Sequence, residues 1–324
     1  MNKRAIISGI NGQDGAYLTQ YLLSKDYEVH GIIRRNSVPE HQTFRLNSVY
    51  EHIKNNLHYG DLTDFSSILR LVSTIKPHEI YNLGAQSHVG ISFDSPLFTT
   101  NTIVDGTINL LESIRSIDRN IRFYQASSSE MFGNQIDNDG FQRESTPMIP
   151  VSPYGAAKLC AFHNVQVYRK SYNIFASNGI LFNHESPFRG VNFVTNKIVR
   201  GAVMIHKGIT NELRLGNLEA SRDWGHAKDY VRAMHSILNH SKPDDFVCAS
   251  GETHTVQELC NYVFDKLDIS KKKIIVDEKF LRPNELFLLK GDPSKIKKVL
   301  AWEPEYSFIS MIDEMIEYWI EEIK

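Results

Sequence analysis

The stretch Arg4-Ala-Ile-Ile-Ser-Gly9-Ile-Asn-Gly12-Gln-Asp-Gly15 decides the fold of this chain. Residues 4–8 have the length and apolar character of a buried strand, and the glycines after them lead into a helical pattern at Tyr17–Lys25. A second buried strand is predicted at Glu28–Ile33. A strand, a glycine turn, a helix and a strand in this order open a doubly wound, Rossmann-like parallel sheet, and we predict this α/β fold class for the chain.

The alternation of strands and helices continues to residue 182. Strands that are this short, apolar and bounded by turns belong to a sheet covered by helices on both faces. The further predicted elements are strands at Leu57–Tyr59, Glu79–Leu83, Arg122–Ala126 and Ala176–Phe182, and helices at Phe65–Ile75, Thr99–Ile117 and Pro153–Tyr172. We therefore assign residues 1–182 to a nucleotide-binding domain with this sheet at its centre.

The pattern changes after residue 182, where loops rich in glycine and proline surround the remaining elements. A helix at Ala227–Asn239 and a strand at Asp245–Ala249 are predicted to return to the sheet. The other helices are predicted at Phe193–Lys207, Thr255–Leu267 and Ile309–Ile323. We expect residues 183–226 and 251–324 to form a smaller, mostly helical substrate domain, and the segment near 227–250 to belong to the first domain.

Composition limits the classes of function. The 324 residues carry a formal net charge of −2, with 41% hydrophobic and 23% charged residues, as in an ordinary soluble globular protein. A nucleic-acid surface normally needs a concentrated basic face, and no apolar run approaches the length of a membrane span. The chain begins without a secretory pattern, and its three cysteines have no metal-ligand spacing, so we expect a cytoplasmic protein without a metal site.

The glycines of the first turn predict a dinucleotide site. Glycine lets the backbone approach a pyrophosphate closely, and the N-terminus of the following helix offers free N–H donors. The spacing Gly-x-x-Gly-x-x-Gly is wider than the tighter Gly-x-Gly-x-x-Gly pattern and indicates another branch of the dinucleotide-binding architecture. The predicted contacts in this turn are Gly9, Asn11, Gly12, Gln13, Asp14 and Gly15.

The end of the second strand predicts which dinucleotide is bound. An acidic residue there binds the ribose hydroxyl of NAD, whereas arginine accommodates the additional phosphate of NADP. The strand ends Ile33-Arg34-Arg35, so we predict NADP, with Arg35 as the main contact and Arg34 beside it. The alternative is that both arginines are simply exposed on a polar loop. By position, Asp61 and Leu62 are predicted at the adenine, and Leu83, Ala85 and Ser87 on the ribose and nicotinamide side.

Two polar pairs predict the chemical centre. Tyr154 and Lys158 lie four residues apart on a predicted helix and therefore share a face. An ammonium beside a phenol favours the phenolate, so we expect a lowered pKa for Tyr154, which could then accept a hydroxyl proton as a hydride leaves the same carbon. Lys158 is also predicted to bind the nicotinamide ribose. The alternative for this pair is an ordinary surface contact.

Ser128 and Glu130 follow the strand that begins at Arg122, at the sheet edge where open α/β proteins place their ligands. The Ser128 hydroxyl is predicted to bind the reacting oxygen. Dehydrogenation needs only the tyrosine, lysine and serine, so the carboxylate of Glu130 indicates a further proton transfer. The alternative for Glu130 is a solvated loop carboxylate.

With these residues placed, the chain resembles the GDP-mannose 4,6-dehydratases of the extended short-chain dehydrogenase/reductase superfamily. The resemblance runs nearly end to end, and its most specific motifs lie in the second half of the chain. The matching segments are Gly9–Leu18, Tyr81–Ala85, Arg122–Ser127, Asn178–Pro187 with Asn-His-Glu-Ser-Pro at its end, Arg222-Asp-Trp-Gly225 and Arg282-Pro-Asn-Glu285.

The resemblance implies an intramolecular redox reaction. Tyr154 would deprotonate the C4 hydroxyl of GDP-mannose while a hydride passes to NADP, and Glu130 would remove the C5 proton and help water leave from C6. The hydride would return to C6, which gives GDP-4-keto-6-deoxy-mannose and regenerates the cofactor. The resemblance also implies a homotetramer, because the loop after the second strand reaches a neighbouring subunit in relatives.

The resemblance assigns a set of residues to the nucleotide half of the substrate. It places Asn183 near the diphosphate, Lys197 and Arg222 on phosphate or base, and Arg282 with Glu285 on the ribose and phosphates. Leu215 and Gly216 complete this set of substrate contacts. An alternative for Arg222 is a structural ion pair with Asp223, and His184 and His226 are predicted to be structural.

Two residues depart from the family pattern, and three other functions stay open. Ser128 stands where threonine is typical, which keeps the hydroxyl, and Phe188 stands where a basic residue is common. A GDP-heptose dehydratase would use the same residues with a different pocket. A sugar-nucleotide epimerase or 4-reductase would share fold and cofactor, but Glu130 argues against it. An NADP-binding module without turnover is disfavoured by the intact Ser128, Glu130, Tyr154 and Lys158.

Overall fold

A seven-stranded parallel sheet forms the centre of the computed structural model, which describes residues 2–35, 42–281 and 284–324. Its strand order is β11-β6-β5-β4-β1-β2-β3, and every neighbouring pair is parallel. The strands of the described residues are β1 (Arg4–Ser8), β2 (Glu28–Ile33), β3 (Leu57–Tyr59), β4 (Glu79–Asn82), β5 (Arg122–Ser128), β6 (Ala176–Leu181), β7 (Asn183–Glu185), β8 (Leu213–Leu215), β9 (Ser221–Arg222), β10 (Trp224–His226), β11 (Asp245–Cys248), β12 (His254–Thr255), β13 (Ile274–Val276) and β14 (Leu288–Leu289).

This strand order confirms the doubly wound fold predicted from the sequence. The chain reverses direction across the sheet between β1 and β4, and their carboxyl ends lie side by side, where such sheets bind ligands. The predicted return of the chain is also found, because β11 pairs with β6 at the edge of the sheet.

Helices cover both faces of the sheet. The α-helices of the described residues are α1 (Gln13–Leu23), α2 (Tyr50–Ile53), α3 (Phe65–Ile75), α4 (Val89–Asp94), α5 (Pro96–Thr100), α6 (Gly106–Ile117), α7 (Pro153–Tyr172), α8 (Val194–His206), α9 (Ala227–Leu238), α10 (Val256–Lys266), α11 (Ser294–Leu300) and α12 (Phe308–Glu322). On one face, α1 and α9 pack on side chains such as Ile7 and Tyr124. On the other face, α3, α6 and α7 pack on Ile6, Ile80 and Phe123. The alternation of buried side chains along β1 between the two faces explains why its residues are apolar without interruption.

A separate apolar cluster lies outside the sheet. It joins α8, α10 and α12 through residues such as Val199, Leu259 and Met315, with Trp224 among them. Three small sheets accompany it, formed by β7 with β10, by β8 with β13, and by β9 with β12 and β14. The division into two domains stays a prediction.

Most predicted elements agree with the structure to within a few residues, but three differ in informative ways. Helix α1 begins at Gln13 rather than Tyr17, because the glycine turn passes directly into the helix. The helix predicted at Thr99–Ile117 begins at Pro96 and contains a wider turn at Asn101–Asp105 before α6. Strand β5 continues to Ser128. Along the described parts of the chain, no helix combines the length and apolar character needed to cross a membrane.

Candidate active site

The glycine turn lies at the carboxyl end of β1 and is closed too tightly for side chains. Gly9 has a φ of +68°, and a Cβ on Gly9 would lie 2.9 Å from the Cα of Gly84 at the end of β4. A Cβ on Gly15 would lie 2.4 Å from the carbonyl oxygen of Gly9. Gly12 is the N-cap of α1 and offers no side-chain cap, so the first-turn N–H groups stay available. This geometry is compatible with the predicted pyrophosphate contacts, which stay a prediction.

Gln13 and Asp14, two predicted cofactor contacts, bind β7 and the residue that follows it. The Gln13 amide donates to the carbonyl of His184 at 3.1 Å and accepts from the Ser186 hydroxyl at 2.7 Å. Nε2 of His184 lies 2.8 Å from a carboxylate oxygen of Asp14. Burial is the largest single influence and opposes the charged form of His184, but the charge of Asp14 and its hydrogen bond together outweigh it, so the pKa of His184 is raised. Asn11 lies beside them in the same turn, and its carbonyl accepts from Arg45 at 3.4 Å.

Arg34 and Arg35 are exposed after the end of β2. Their guanidinium carbons lie 5.4 Å from the ring centroid of Phe98 and 5.9 Å from that of Tyr59, respectively. No ion pair joins either arginine to another of the described residues. Two exposed cations held against aromatic rings at this position can receive a phosphate.

The predicted adenine and ribose contacts lie at the ends of β3 and β4. The Asp61 carboxylate accepts from the N–H and hydroxyl of Thr63 at 2.9 Å and 2.8 Å, and Leu62 is buried. The N–H groups of Leu83 and Gly84 both donate to the Ser8 hydroxyl at 3.0 Å. Ala85 packs near Tyr154, whereas Ser87 is exposed. These residues therefore all lie near the carboxyl-end edge of the sheet.

Ser128 and Glu130 occupy a tight turn at the end of β5. The Ser128 hydroxyl accepts from the N–H of Glu130 at 3.2 Å, which begins the 3-10 turn Ser129–Met131. The Glu130 side chain is only 7% exposed, so the alternative of a solvated loop carboxylate is wrong. A Cβ on Gly155 would lie 2.7 Å from the carbonyl oxygen of Glu130, which shows how closely this turn packs against the first turn of α7.

Tyr154 and Lys158 are buried on the face of α7 that lies against this turn, so they are not a surface pair. The Ser152 hydroxyl caps α7 by accepting from Gly155 N–H, and the N–H of Tyr154 donates to the Ser92 hydroxyl at 3.2 Å. Lys158 Nζ donates to the carbonyl of Ala126 at 2.7 Å and lies 5.7 Å from the centroid of the Tyr154 ring. The structure therefore brings Ser128, Glu130, Tyr154 and Lys158 into one site.

The predicted lowering of the Tyr154 pKa is wrong for this structure. Burial raises the pKa of Tyr154 to about 12, and the negative charge of Glu130 adds to the rise, while a side-chain hydrogen bond with Ser128 acts against it. Burial also lowers the pKa of Lys158 to about 8. The reason is that desolvation outweighs the attraction between phenolate and ammonium when Lys158 donates to a backbone carbonyl.

Arg189 is a charged group near the site that sequence reasoning did not assign. Its positive charge lowers the pKa of both Tyr154 and Asp14. Its guanidinium lies 3.7 Å from the centroid of the Phe193 ring and pairs with the buried Glu185 at 3.1 Å. The available signal was its place two residues after Pro187, in the loop that binds the glycine turn.

The predicted nucleotide contacts lie on β7, α8 and β9. Asn183 begins β7, and its side-chain oxygen is buried without a hydrogen bond to any described residue. Lys197 Nζ lies 3.5 Å from the centroid of the Phe280 ring, and burial lowers its pKa. Arg222 is buried and donates to the carbonyls of Ser221 and Leu286, each at 2.8 Å.

The remaining predicted substrate contacts lie close to Arg222 and Lys197 in the fold. The Asp223 carboxylate accepts from the N–H groups of Ser250 and Gly251 at 2.8 Å. Leu215 is buried at the end of β8, and a Cβ on Gly216 would lie 2.6 Å from the carbonyl oxygen of Phe280. Glu285 lies one residue before Leu286, whose carbonyl binds Arg222. Arg282 lies outside the described residues.

Sequence comparison agrees with this arrangement. A family model described as GDP-mannose 4,6 dehydratase matches residues 6–315. GDP-mannose 4,6 dehydratase 2 of Arabidopsis thaliana is 49% identical over 97% of this chain and 86% of its own length. The human and Vibrio cholerae GDP-mannose 4,6-dehydratases are 46% and 43% identical, over 96% and 98% of this chain and over 90% and 93% of their own lengths.

Comparison with solved structures supports the fold. DesIV, a dTDP-glucose 4,6-dehydratase from Streptomyces venezuelae with NAD and TYD bound, gives a TM-score of 0.85 at 23% identity, covering 98% of this chain and 97% of DesIV. RMD from Pseudomonas aeruginosa, complexed with NADPH, gives 0.82 at 22% identity, covering 100% of this chain and 99% of RMD. The chain belongs to the GDP-mannose 4,6-dehydratase family, as predicted from its motifs.

Proposed function

We propose that this chain, as a member of the GDP-mannose 4,6-dehydratase family, converts GDP-mannose to GDP-4-keto-6-deoxy-mannose with release of water. The observation that carries the proposal is the buried carboxylate of Glu130, in one turn with Ser128 and packed against the first turn of α7. Oxidation of an alcohol needs no such carboxylate, whereas elimination of water across C5 and C6 needs a proton acceptor and donor.

We propose that a nicotinamide dinucleotide binds along this edge of the sheet. The turn has no room for a side chain at Gly9 or Gly15, and α1 begins there with uncapped N–H groups. When bound, the nicotinamide would accept a hydride from C4 and return it to C6. We further propose that the dinucleotide is NADP, because Arg34 and Arg35 supply two exposed cations at the end of β2.

The chain's own residues would move the protons. Tyr154 accepts the proton of the C4 hydroxyl, and Ser128 binds the same oxygen. Glu130 then takes the proton from C5, which the neighbouring ketone has made acidic, and delivers it to the C6 hydroxyl as water leaves. As the hydride returns to C6, C5 takes up one proton, which balances the proton that Tyr154 accepted from the C4 hydroxyl. Lys158 orients the nicotinamide ribose and supplies positive charge beside Tyr154. Each of these groups is buried, so the active site limits loss of protons to bulk water.

The nucleotide half of the substrate is proposed to bind at Asn183, Lys197, Leu215, Gly216, Arg222, Arg282 and Glu285. Forked donors make arginine suitable for diphosphate, and the half-buried ammonium of Lys197 adds charge. We also propose a homotetramer, on the basis of the family resemblance of the loop after β2. Size-exclusion chromatography with light scattering would test the assembly directly.

The decisive experiment follows GDP-mannose by mass spectrometry with the purified protein and NADP in deuterated water. We expect the mass of one water to be lost and one deuterium to enter at C5. Glu130→Gln should keep NADP affinity and lose both changes. Glu144→Gln is the matched control, because that partly buried carboxylate accepts from Val247 N–H at 2.8 Å and glutamine can accept the same bond. Product formation by Glu130→Gln would contradict the assignment.

A further inference from the structure

The side chain of Asn134 links the catalytic turn to a distant segment of the chain. Asn134 lies four residues after Glu130, and its amide N–H donates to the carbonyl of Glu285 at 3.2 Å. Its side-chain oxygen accepts from the N–H of Phe287 at 3.3 Å. One amide thus binds a carbonyl and an N–H two residues apart, as a neighbouring strand would.

Arg222 and Ser221 bind the same segment, Glu285–Phe287. Arg222 donates to the carbonyl of Leu286 at 2.8 Å, and the N–H of Ser221 donates to the carbonyl of Phe287 at 2.9 Å. Leu286 is fully buried and packs in the cluster that contains Phe132, next to the catalytic turn. Asn134 therefore adds a polar link, beside the packing of Leu286, between this segment and the polypeptide that carries Glu130.

The attachment point of Asn134 is itself rigid. The N–H of Gly133 donates to the carbonyl of Glu130 at 3.4 Å, and Gly133 has a φ of +59°. A Cβ on Gly133 would lie 1.9 Å from the carbonyl oxygen of Ile149, so only glycine fits there. The same loop is also fixed farther along, where Gln142 N–H donates to the carbonyl of Lys290 at 2.8 Å. A displacement of Asn134 relative to Glu130 is thus opposed by the backbone.

We propose that Asn134 is a positioning residue for the nucleotide half of the substrate. It fixes the backbone of Glu285 and Phe287 and thereby holds the Glu285 carboxylate in register with Glu130. The inference rests on the proposed function, in which Glu285 contacts the nucleotide. Its physical basis is that Glu285–Phe287 already loses its conformational entropy on folding. Because this entropy is not lost again on binding, the nucleotide binds more strongly.

The test measures GDP binding by calorimetry on the NADP-loaded enzyme. Asn134→Ala is expected to weaken GDP binding by about five- to tenfold, as the loss of one or two hydrogen bonds predicts. Asn134→Asp, which cannot donate to the Glu285 carbonyl, should act in the same direction. Asn138→Ala is the control: it removes an exposed amide of the same loop that makes no hydrogen bond to the described residues, and should leave affinity unchanged.

A double-mutant cycle separates positioning from general loosening. In a Glu285→Ala background, Asn134→Ala should cause no further loss of GDP affinity, since its effect passes through Glu285. In steady-state assays, Asn134→Ala should raise the KM for GDP-mannose and leave kcat within about twofold. The inference would be overturned, and the proposed function left intact, by any of three results. These are additive losses of GDP affinity in the cycle, unchanged GDP affinity in Asn134→Ala, or a fall in kcat without a change in KM. Absence of GDP binding by the unmodified enzyme would overturn both.

Discussion

Lys158→Met should stabilise the cofactor-free protein at neutral pH. Burial lowers the pKa of Lys158 from 10.5 to about 8, so its charged form costs roughly 3 kcal/mol in the folded state, at about 1.4 kcal/mol for each pH unit. Methionine removes that cost and loses the hydrogen bond to the Ala126 carbonyl, which is worth about 1 kcal/mol. A net gain of about 2 kcal/mol in unfolding free energy is expected at pH 7, together with loss of activity.

The pH dependence identifies the cause. Between pH 8 and 10.5, the unfolded chain keeps a proton on Lys158 that the folded chain has lost, so the unfolding free energy of the parent protein rises with pH. The advantage of Lys158→Met should therefore shrink over this range. Near pH 10.5, only the lost hydrogen bond remains, and the variant should be slightly less stable than the parent.

The assay is urea unfolding of the cofactor-stripped protein, followed by circular dichroism from pH 7 to 10.5. Lys170→Met, which replaces an exposed lysine on the same helix, is the control and should show no such pH-dependent difference. If Lys158→Met is less stable at pH 7, or if its difference from the parent is the same at every pH, then desolvation of this ammonium does not dominate and the argument fails.

Three further substitutions test other parts of the structure. Gly15→Ala places a Cβ 2.4 Å from the Gly9 carbonyl oxygen, so it should lower stability by about 2 kcal/mol or more and weaken cofactor binding. Thermal unfolding with and without NADP measures both effects, and full retention of stability and binding would contradict the close packing. Hydrogen bonds from His226 and Lys228 lower the pKa of Glu314 from 4.5 to about 2. The stability that the Glu314 carboxylate contributes is therefore lost as the pH falls from 4.5 to about 2, and Glu314→Gln should flatten the acid limb of a pH–stability profile. Arg35→Glu should weaken NADP binding by tenfold or more relative to NAD, and an unchanged ratio in fluorescence titrations would count against the phosphate site.

Local pattern was sufficient to predict the sheet and the grouping of the four proposed catalytic residues. The strands Arg4–Ser8, Glu28–Ile33 and Leu57–Tyr59 agree with the sequence-based bounds, because buried parallel strands are short, apolar and bounded by turns. Tyr154 and Lys158 share a helix face by their spacing alone, and Ser128 and Glu130 follow a strand whose carboxyl end must lie at the ligand edge.

Contacts between distant segments could not be predicted in this way. The bond from Gln13 to the His184 carbonyl joins residues far apart in sequence, and the pairing of Asn134 with Glu285 does so as well. Neither has a periodic or spacing signal. The sign of the Tyr154 pKa shift was also wrong, because helical spacing gives proximity to Lys158 but says nothing about the depth of burial.

Burial favours the neutral form of both central groups, Tyr154 and Lys158. Neutral Tyr154 accepts a proton less readily than the phenolate does, and neutral Lys158 supplies no positive charge beside it. Arg189, in the loop after β7, opposes the effect of burial by lowering the pKa of Tyr154. Asp14, at the start of α1, opposes it at Lys158, whose pKa it raises, but adds to it at Tyr154, whose pKa it also raises. His184 joins these two segments through its contact with Asp14. Charges on the glycine turn and on the loop after β7 therefore reach a pair that lies on neither segment, but burial remains the larger influence on both pKa values.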